Sequence, residues 1–272
     1  MKKLNSFVAL LARPVLLAGL TLLAPACSKQ EAVAPAAPTA ATADAKADQT
    51  KTFYGPAVPV GQGVARAWET VNAAGVPTAI GVEVSAGAML NAGPTSIDYV
   101  LQLPHQVAVP PFDHIELGWN PDGHEPAFYM LPHFDMHFYM ISEAYQAAIP
   151  FLAPPAFDVA PAAQYIPPFY VQGPGLVPNM GAHWLDVLSP ELHGATFTKT
   201  FIYGTYNGHV AFLETMFTRD YLSARLTETT PIRPAAAVEQ AGYYPASYTI
   251  SYSASPQQYK ISLDGLQYRA AQ

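Results

Sequence analysis

The chain contains little of what would mark it as a disulfide-rich or a nucleic-acid-binding protein. It has one cysteine in 272 residues, and one cysteine cannot form a disulfide bond within the chain. Only 12% of its residues are charged, and 13 basic against 20 acidic residues give a formal net charge of −7. No basic cluster follows residue 3. A disulfide scaffold and a sequence-independent nucleic-acid-binding surface are therefore excluded.

The motifs of several large enzyme classes are absent as well. The sequence has no G-x-G-x-x-G, no P-loop, no G-x-S-x-G and no C-x-x-C. The metalloprotease motif H-E-x-x-H is missing, because Pro126 follows His124-Glu125 and no histidine stands at the required spacing. No nucleophile can be placed in a Ser-His-Asp or Cys-His arrangement. The motifs alone therefore assign no activity.

Proline, glycine and tyrosine are abundant, with 27, 18 and 16 residues respectively. Together with short apolar runs, this composition is typical of a β-rich fold with many turns. We predict a mainly β protein, an antiparallel β-sandwich or barrel-like body with one or two short helices. Although the length allows one or two domains, the β pattern continues from residue 53 onward and favours a single domain.

Apolar alternation and turn residues predict the individual elements. Strands are predicted at Gly63–Val71 and Pro77–Ser85, and a short helix at 142–149 has Ser142 as its N-cap. Two-residue hairpins are predicted at Asn207-Gly208 and at Asp264-Gly265. Residues 129–140 are predicted to be extended. The proline-rich and aromatic stretch 150–178 is predicted to be irregular and packed across the sheet.

The first 26 residues resemble an export signal. Lys2, Lys3 and Arg13 form a positive region, an apolar stretch follows at 15–24, and small residues precede Cys27. This pattern predicts a bacterial lipoprotein signal at 1–26 with lipidation at Cys27, and ordinary secretion with an unmodified cysteine is the alternative. The predicted location is the bacterial cell envelope, with the lipid anchor in the membrane and the protein at the outer membrane or facing the periplasm.

Residues 27–52 are predicted to be a disordered tether. Nine of the 20 residues from Glu31 to Thr50 are alanine, and no large apolar residue follows Val33 there. Such a segment buries too little apolar surface to offset its loss of conformational entropy. The predicted organisation is a signal at 1–26, a tether at 27–52 and one β-rich domain at 53–272.

All eight histidines lie between His105 and His209, and two of them share a predicted strand with a carboxylate. Alternate residues of a strand point to the same face, so His133, Asp135 and His137 point one way. The residues between and after them are apolar and predict a face that packs on the core: Phe134, Met136, Phe138 and Met140.

Six residues on or near the polar face are candidate metal ligands: His124, His133, Asp135, His137, His183 and Glu214. Imidazole and carboxylate suit Zn, Fe, Mn or Cu, and a nitrogen-rich set disfavours calcium. Because His133 and His137 are about 13 Å apart on a straight strand, they cannot share one ion, whereas neighbouring pairs at about 7 Å can. The spacing is compatible with a facial triad of His133, Asp135 and His183. It is also compatible with a cupin-like set that includes Pro178-x-x-Gly181-x-His183.

The strings Phe112–Pro126 and Pro132–Tyr139 resemble a family of exported bacterial proteins of unknown function, whose type member is a Thermus protein under sigma-E control. Three further segments fit the same family: Met180-Gly181-x-His183-Trp184-x-Asp186, Phe201-Ile202-Tyr203-Gly204 and Phe212-Leu213-Glu214-x-Met216-x-Thr218. The resemblance covers about residues 53–270. It implies an extracytoplasmic β-rich domain, compatible with a homo-oligomer, and supplies no known activity.

Two functional hypotheses follow. In the first, an extracytoplasmic domain anchored to the membrane binds a divalent transition metal at its histidine-rich site, for catalysis or for storage. In the second, the domain is a non-catalytic envelope or surface interaction module, and its histidines form a structural hydrogen-bond network. The sequence does not decide between the two, and it names neither a substrate nor a protein partner.

Overall fold

The computed structural model describes residues 50–272, so the predicted signal, Cys27 and nearly all of the predicted tether lie outside the described residues. Two antiparallel sheets of seven strands pack together as a sandwich, and two short strands form a separate pair. The predicted mainly β sandwich is therefore confirmed. The described residues contain three short α-helices instead of the one or two predicted.

The first sheet begins at Lys51, two residues before the predicted domain start. Its strands, numbered in chain order, are β1 (Lys51–Tyr54), β2 (Val58–Val60), β3 (Gly63–Val71), β4 (Pro77–Ser85), β12 (Glu228–Pro231), β14 (Ser247–Ala254) and β15 (Gln257–Asp264). They are arranged in the order β1-β3-β4-β15-β14-β12, and β2 pairs with β3. The predicted bounds of β3 and β4 agree with the observed ones.

The second sheet carries the candidate ligands. Its strands are β5 (Ile97–Gln102), β6 (His114–Asn120), β7 (His133–Tyr139), β8 (Tyr170–Gln172), β9 (Ala182–Asp186), β10 (Lys199–Tyr206) and β11 (His209–Thr218). They are arranged in the order β5-β6-β7-β11-β10-β9-β8. The separate pair consists of β13 (Gly242–Tyr244) and β16 (Gln267–Arg269).

The helices are short. They are α1 (Ala86–Leu90), α2 (Glu143–Gln146) and α3 (Arg219–Ser223), with 3₁₀ turns at Ala127–Tyr129, Ala163–Tyr165 and Pro190–His193. Ser142 caps α2 as predicted, because its Oγ accepts a hydrogen bond from the backbone N of Tyr145 at 3.3 Å. None of the helices in residues 50–272 is long and apolar enough to cross a membrane.

The core lies between the two sheets. Ile80 and Val82 of β4 and Leu263 of β15 meet Phe134 and Phe138 of β7 there, and each of these side chains is at most 1% exposed. Burying a side chain of this size contributes about 1.5–3 kcal/mol relative to leaving it in water. The apolar side of β7 therefore packs on the core as its alternation predicts, and the histidine side faces away from it.

The chain reverses at Asn207-Gly208 as predicted, but the hairpin predicted at Asp264-Gly265 is wrong. Asn207 and Gly208 both have positive φ, 50° and 82°, as the tight hairpin turn between β10 and β11 requires. After Gly265, the backbone N of Leu266 donates to Thr78 O, and the chain continues into β16, which pairs with β13. Instead, β15 forms its hairpin with β14, because that pairing aligns eight residues of two alternating strands.

Two further segments differ from the sequence-based prediction. Residues 129–132 precede β7 without belonging to it, because a 3₁₀ turn ends at Tyr129. The stretch 150–178 is largely irregular, but it contains β8, and Phe151 and Phe157 are 66% and 59% exposed instead of packed. Aromatic content alone does not determine which side of a loop meets the protein.

A buried carboxyl without a partner lies on β3. Glu69 is 0% exposed and points to the same side as Ala65 and Ala67, which belong to the core. Neither of its carboxyl oxygens has a hydrogen-bond partner within residues 50–272. Burial raises the pKa of Glu69 from 4.5 to about 8.

Replacing Glu69 with Gln should remove a pH-dependent loss of stability. Below pH 4.5 the carboxyl is protonated in the folded and unfolded states, so it does not change the free energy of unfolding with pH. Between pH 4.5 and 8 only the unfolded chain ionises, and the wild type loses up to about 1.4 kcal/mol per pH unit. In urea unfolding, we expect Glu69→Gln to match the wild type near pH 4 and to be the more stable protein at pH 8.

Glu83→Gln is the matched control for this experiment. Glu83 lies on the opposite face of the neighbouring strand β4 and forms an ion pair with Arg66. Because this substitution breaks an ion pair, it should give no gain at pH 8. Equal pH dependence in the wild type and Glu69→Gln would contradict the presence of an unpaired buried carboxyl.

Candidate metal centres

The outward face of the second sheet carries polar residues that are buried nonetheless. His133, Asp135 and His137 of β7 are at most 4% exposed. Aromatic side chains from two connections cover this face: Tyr129 lies between β6 and β7, and Phe197 lies between β9 and β10. Since bulk solvent does not reach this face, each polar atom needs a partner such as a protein group, an ordered water or a bound ion.

The first cluster consists of His124, His133 and Asp135, and we call it the His124 group. Nε2 of His124 lies 3.4 Å from Oδ2 of Asp135, and Nε2 of His133 lies 3.2 Å from Oδ1. The three ligand atoms lie within 4.8 Å of one another. A transition-metal ion with bonds of about 2.0–2.2 Å separates its ligand atoms by about 3–4 Å. The cluster therefore has the dimensions of a metal site.

The second cluster consists of His137, His183 and Glu214, and we call it the His137 group. Nε2 of His137 lies 3.6 Å from Oε1 of Glu214, and Nε2 of His183 lies 3.7 Å from Oε2. These three ligand atoms also lie within 4.8 Å of one another. His137 and Glu214 are directly opposite in the pairing of β7 with β11. The register of two central strands thus forms half of this cluster.

A glycine on β10 makes room for an aromatic ring beside His183, which comes from β9. Gly204 lies on β10, opposite His183 on one side and Phe212 on the other. A Cβ at Gly204 would be 2.1 Å from the ring of Phe212, so the ring occupies the space that a side chain would take. The ring centroid of Phe212 lies 4.9 Å from that of His137 and 5.3 Å from that of His183. The missing side chain therefore makes room for the aromatic wall of the His137 group.

Backbone carbonyls orient the two imidazoles of the His124 group. Nδ1 of His124 lies 2.8 Å from Glu125 O, and Nδ1 of His133 lies 2.6 Å from Leu131 O. A carbonyl oxygen only accepts, so Nδ1 carries the proton in both rings and Nε2 faces Asp135. Such contacts orient histidine ligands in metal proteins and fix their tautomer.

A hydrogen bond from a side-chain amide orients the carboxylate of the His124 group. Nδ2 of Asn120 donates to Oδ2 of Asp135 at 2.7 Å. Nε2 of His133 and Oδ1 of Asp135 nevertheless have no hydrogen-bond partner within residues 50–272, despite lying 3.2 Å apart. A cation between these atoms would satisfy both of them.

The His137 group contains more unpaired polar atoms. Both ring nitrogens of His137 and Oε2 of Glu214 lack a hydrogen-bond partner in the described part of the chain. Both side chains are 1% exposed, so bulk solvent does not reach them. Leaving such groups unpaired costs about 1–3 kcal/mol each, and more when they are charged.

Electrostatics keep the imidazoles of the His137 group neutral. Burial lowers the pKa of His137 to about 3 and the pKa of His183 to about 4. Burial, together with the charge of Asp135, raises the pKa of Glu214 well above its usual range. Burial alone would raise the pKa of Asp135 too, but His124 and His133 hold it well below its usual range. Neutral imidazoles have the free lone pair that a metal ion requires.

A third polar network on the same face closes its hydrogen bonds without an ion. Nδ1 of His114 lies 2.9 Å from Oδ1 of Asp113, and Nε2 of His114 lies 2.9 Å from Oε1 of Gln146. Nε2 of Gln146 then donates to Oε2 of Glu116 at 3.1 Å. This network is therefore a structural one, in which hydrogen bonds connect the polar side chains to one another.

The structure separates the six predicted ligands into two clusters of three. His133 and His137 belong to different clusters, in line with the expected separation of about 13 Å along a strand. The facial triad of His133, Asp135 and His183 does not form, because His183 lies beside Glu214 instead.

Sequence reasoning did not identify the neighbours of these clusters. Glu116, Asn120 and Gln146 were missed. The first two alternate with His114 and Gly118 along β6, which is the same signal that singled out β7. No local signal points to Gln146, which reaches the network from α2.

Two surface cavities lie away from both clusters. One is lined by Tyr203, Tyr244 and Arg269 among others, and a larger one by Lys199 and Arg233 among others. The two cations of the larger cavity are paired, Lys199 with Glu228 and Arg233 with Asp186. Neither cavity includes a member of the two clusters.

Comparison of the chain with known protein families, with curated proteins and with solved structures found no match. The functional interpretation therefore depends on the residues of the two clusters. The resemblance to the exported bacterial family stays a prediction.

Proposed function

We propose that this chain is a lipid-anchored, extracytoplasmic protein that binds a divalent transition metal at both the His124 group and the His137 group. Zn, Fe, Mn and Cu suit two imidazoles and one carboxylate. Each cluster supplies three ligands, which is the number that catalytic metal sites usually take from the protein. The alternative, a structural network of histidines, requires buried polar atoms that satisfy one another.

The observation that carries the proposal is a contrast on one face of one sheet. The contacts of the network around His114 are 2.9–3.1 Å long, and no buried side-chain atom of His114, Glu116 or Gln146 lacks a hydrogen-bond partner within residues 50–272. The two clusters instead place imidazole nitrogens 3.2–3.7 Å from carboxylate oxygens and leave several of these atoms unpaired. Buried polar atoms are rarely left unpaired in proteins, and an ion is one of the partners they require.

Export and lipid anchoring are supported by the sequence. A positive start, a short apolar stretch and small residues before Cys27 favour a lipoprotein signal. An acidic chain with a single cysteine suits an oxidising compartment outside the cytoplasm. A metal site in that compartment would take its ion from the envelope.

Metal content and metal-dependent stability test the proposal directly. We expect the full chain, purified without a histidine tag, to contain a transition metal by elemental analysis. Thermal unfolding should show a higher midpoint with Zn²⁺, Mn²⁺, Cu²⁺ or Fe²⁺ than with a chelator. A metal that binds only the folded state at a hundredfold excess over Kd adds about 2.7 kcal/mol per site.

The same two measurements can also contradict the proposal. A metal-free protein whose midpoint does not respond to any of the four ions would overturn the proposal. The histidines would then form a structural network in a non-catalytic envelope module. His193→Ala is the control substitution, since His193 bonds to the backbone of Val187 outside both clusters. This variant should keep the response to metal.

A further inference from the structure

The two clusters differ in their access to solvent. The side chain of His124 is 38% exposed, whereas the side chains of His133 and Asp135 are 0% and 6% exposed. In the His137 group, His137 and Glu214 are 1% exposed and His183 is 21% exposed. An ion in the His124 group would therefore have one ligand, His124, that is in contact with water.

The surroundings of the His137 group are apolar. The rings of Tyr139 and Phe212 are fully buried, and both lie against His137, with centroids 5.5 Å and 4.9 Å from its ring. An anion that entered this space would lose its hydration and would gain no hydrogen-bond donor from these rings.

The His124 group has aromatic walls on one side only. Tyr129 and Phe197 lie against His124 and His133, with centroid distances of 6.1 Å and 5.6 Å. On the other side, His124 comes from the irregular connection between β6 and β7 and reaches solvent. Its three ligands are already oriented by Asn120 and two backbone carbonyls, so little reorganisation is needed to present an open side.

From this difference, and resting on the proposed function, we infer that the His124 group is the reactive site. Its metal keeps a coordination position for water that a small anion displaces, while the buried rings of Tyr139 and Phe212 keep anions away from the metal of the His137 group. Three protein ligands leave at least one position for an exogenous ligand in a tetrahedral or larger coordination sphere. The ligand class is a small anionic donor, because a divalent ion bound by two neutral imidazoles and one carboxylate retains one positive charge.

Cobalt and azide provide the test. We would load the full chain with Co²⁺, titrate sodium azide and record the visible absorption bands of the metal. The bands should shift in a saturable way in the wild type and in His137→Ala, which keeps the His124 group intact. The shift should be lost in Asp135→Asn and in His124→Ala, which keep only the His137 group. His124 lies in a partly exposed loop, so its substitution leaves the core untouched.

The possible failures of this experiment are distinct. If the wild type takes up no cobalt, the proposed function itself is wrong. If His137→Ala binds cobalt but its bands do not respond to azide, metal binding stands and the reactive His124 site is wrong. A full azide response in Asp135→Asn would overturn the inference in the same way, by assigning the open position to the His137 group. Circular dichroism of each variant establishes that the compared proteins are folded.

Discussion

Replacing Asp135 with Asn is expected to remove one of two bound metal ions per chain, and replacing Glu214 with Gln the other. Each carboxylate belongs to one cluster and supplies its only negative charge. A neutral amide binds a transition metal far more weakly than a carboxylate does. Equilibrium dialysis followed by elemental analysis should give two equivalents for the wild type, one for each single variant and none for the double variant.

Asp113→Asn is the matched control for these variants. Asp113 is an aspartate that directly precedes β6, and its carboxylate pairs with His114 in the network around His114. This variant should keep both ions. Loss of both ions in either single variant, or retention of two ions in both, would contradict the presence of two separate three-ligand sites.

Without metal, His137→Leu is expected to be more stable than the wild type. With metal added, it is expected to be less stable than the wild type. Both ring nitrogens of His137 are buried without a hydrogen-bond partner within residues 50–272, so an apolar side chain of similar size removes a penalty of about 1–3 kcal/mol. With metal present, the wild type gains binding energy at the His137 group that the variant lacks. Urea unfolding in chelator and in Zn²⁺ measures both values.

Phe138→Ala, one position further along β7, is the companion variant. Phe138 is 0% exposed on the core side, so its loss should cost about 3–5 kcal/mol with or without metal. It should leave the number of bound ions unchanged. If His137→Leu instead destabilises the chelated protein, His137 has a structural partner and the metal interpretation of its cluster is wrong.

The features of the fold that could be predicted from the sequence are local ones. Alternation along β7 predicts which residues face the core, since consecutive side chains of a strand point to opposite sides. The turn Asn207-Gly208 predicts its hairpin because both positions require positive φ. At Asp264-Gly265 the same signal fails, because the residues after it pair with β13 and not with β15.

The composition of the two clusters could be predicted only in part. The candidate ligands follow from residue type and spacing, but their division into two clusters depends on the order of the strands. His183 on β9 and Glu214 on β11 are separated by strand β10, where Gly204 leaves room for the ring of Phe212 beside them. A contact across that strand joins residues that are distant in the chain, and periodicity carries no information about it.

Both clusters draw on β7, and this arrangement bears on how the sheet acquires its strand register. A slip of one residue would turn His133, Asp135 and His137 toward the core and would expose the phenyl rings on the opposite face. Neither cluster could form in the slipped sheet, because the ligands of β7 would face the core while His124, His183 and Glu214 stayed on the outward face. An ion bound at either cluster therefore lowers the free energy of the native register alone. A bound metal would thereby select the native strand pairing, through a chemistry independent of core packing.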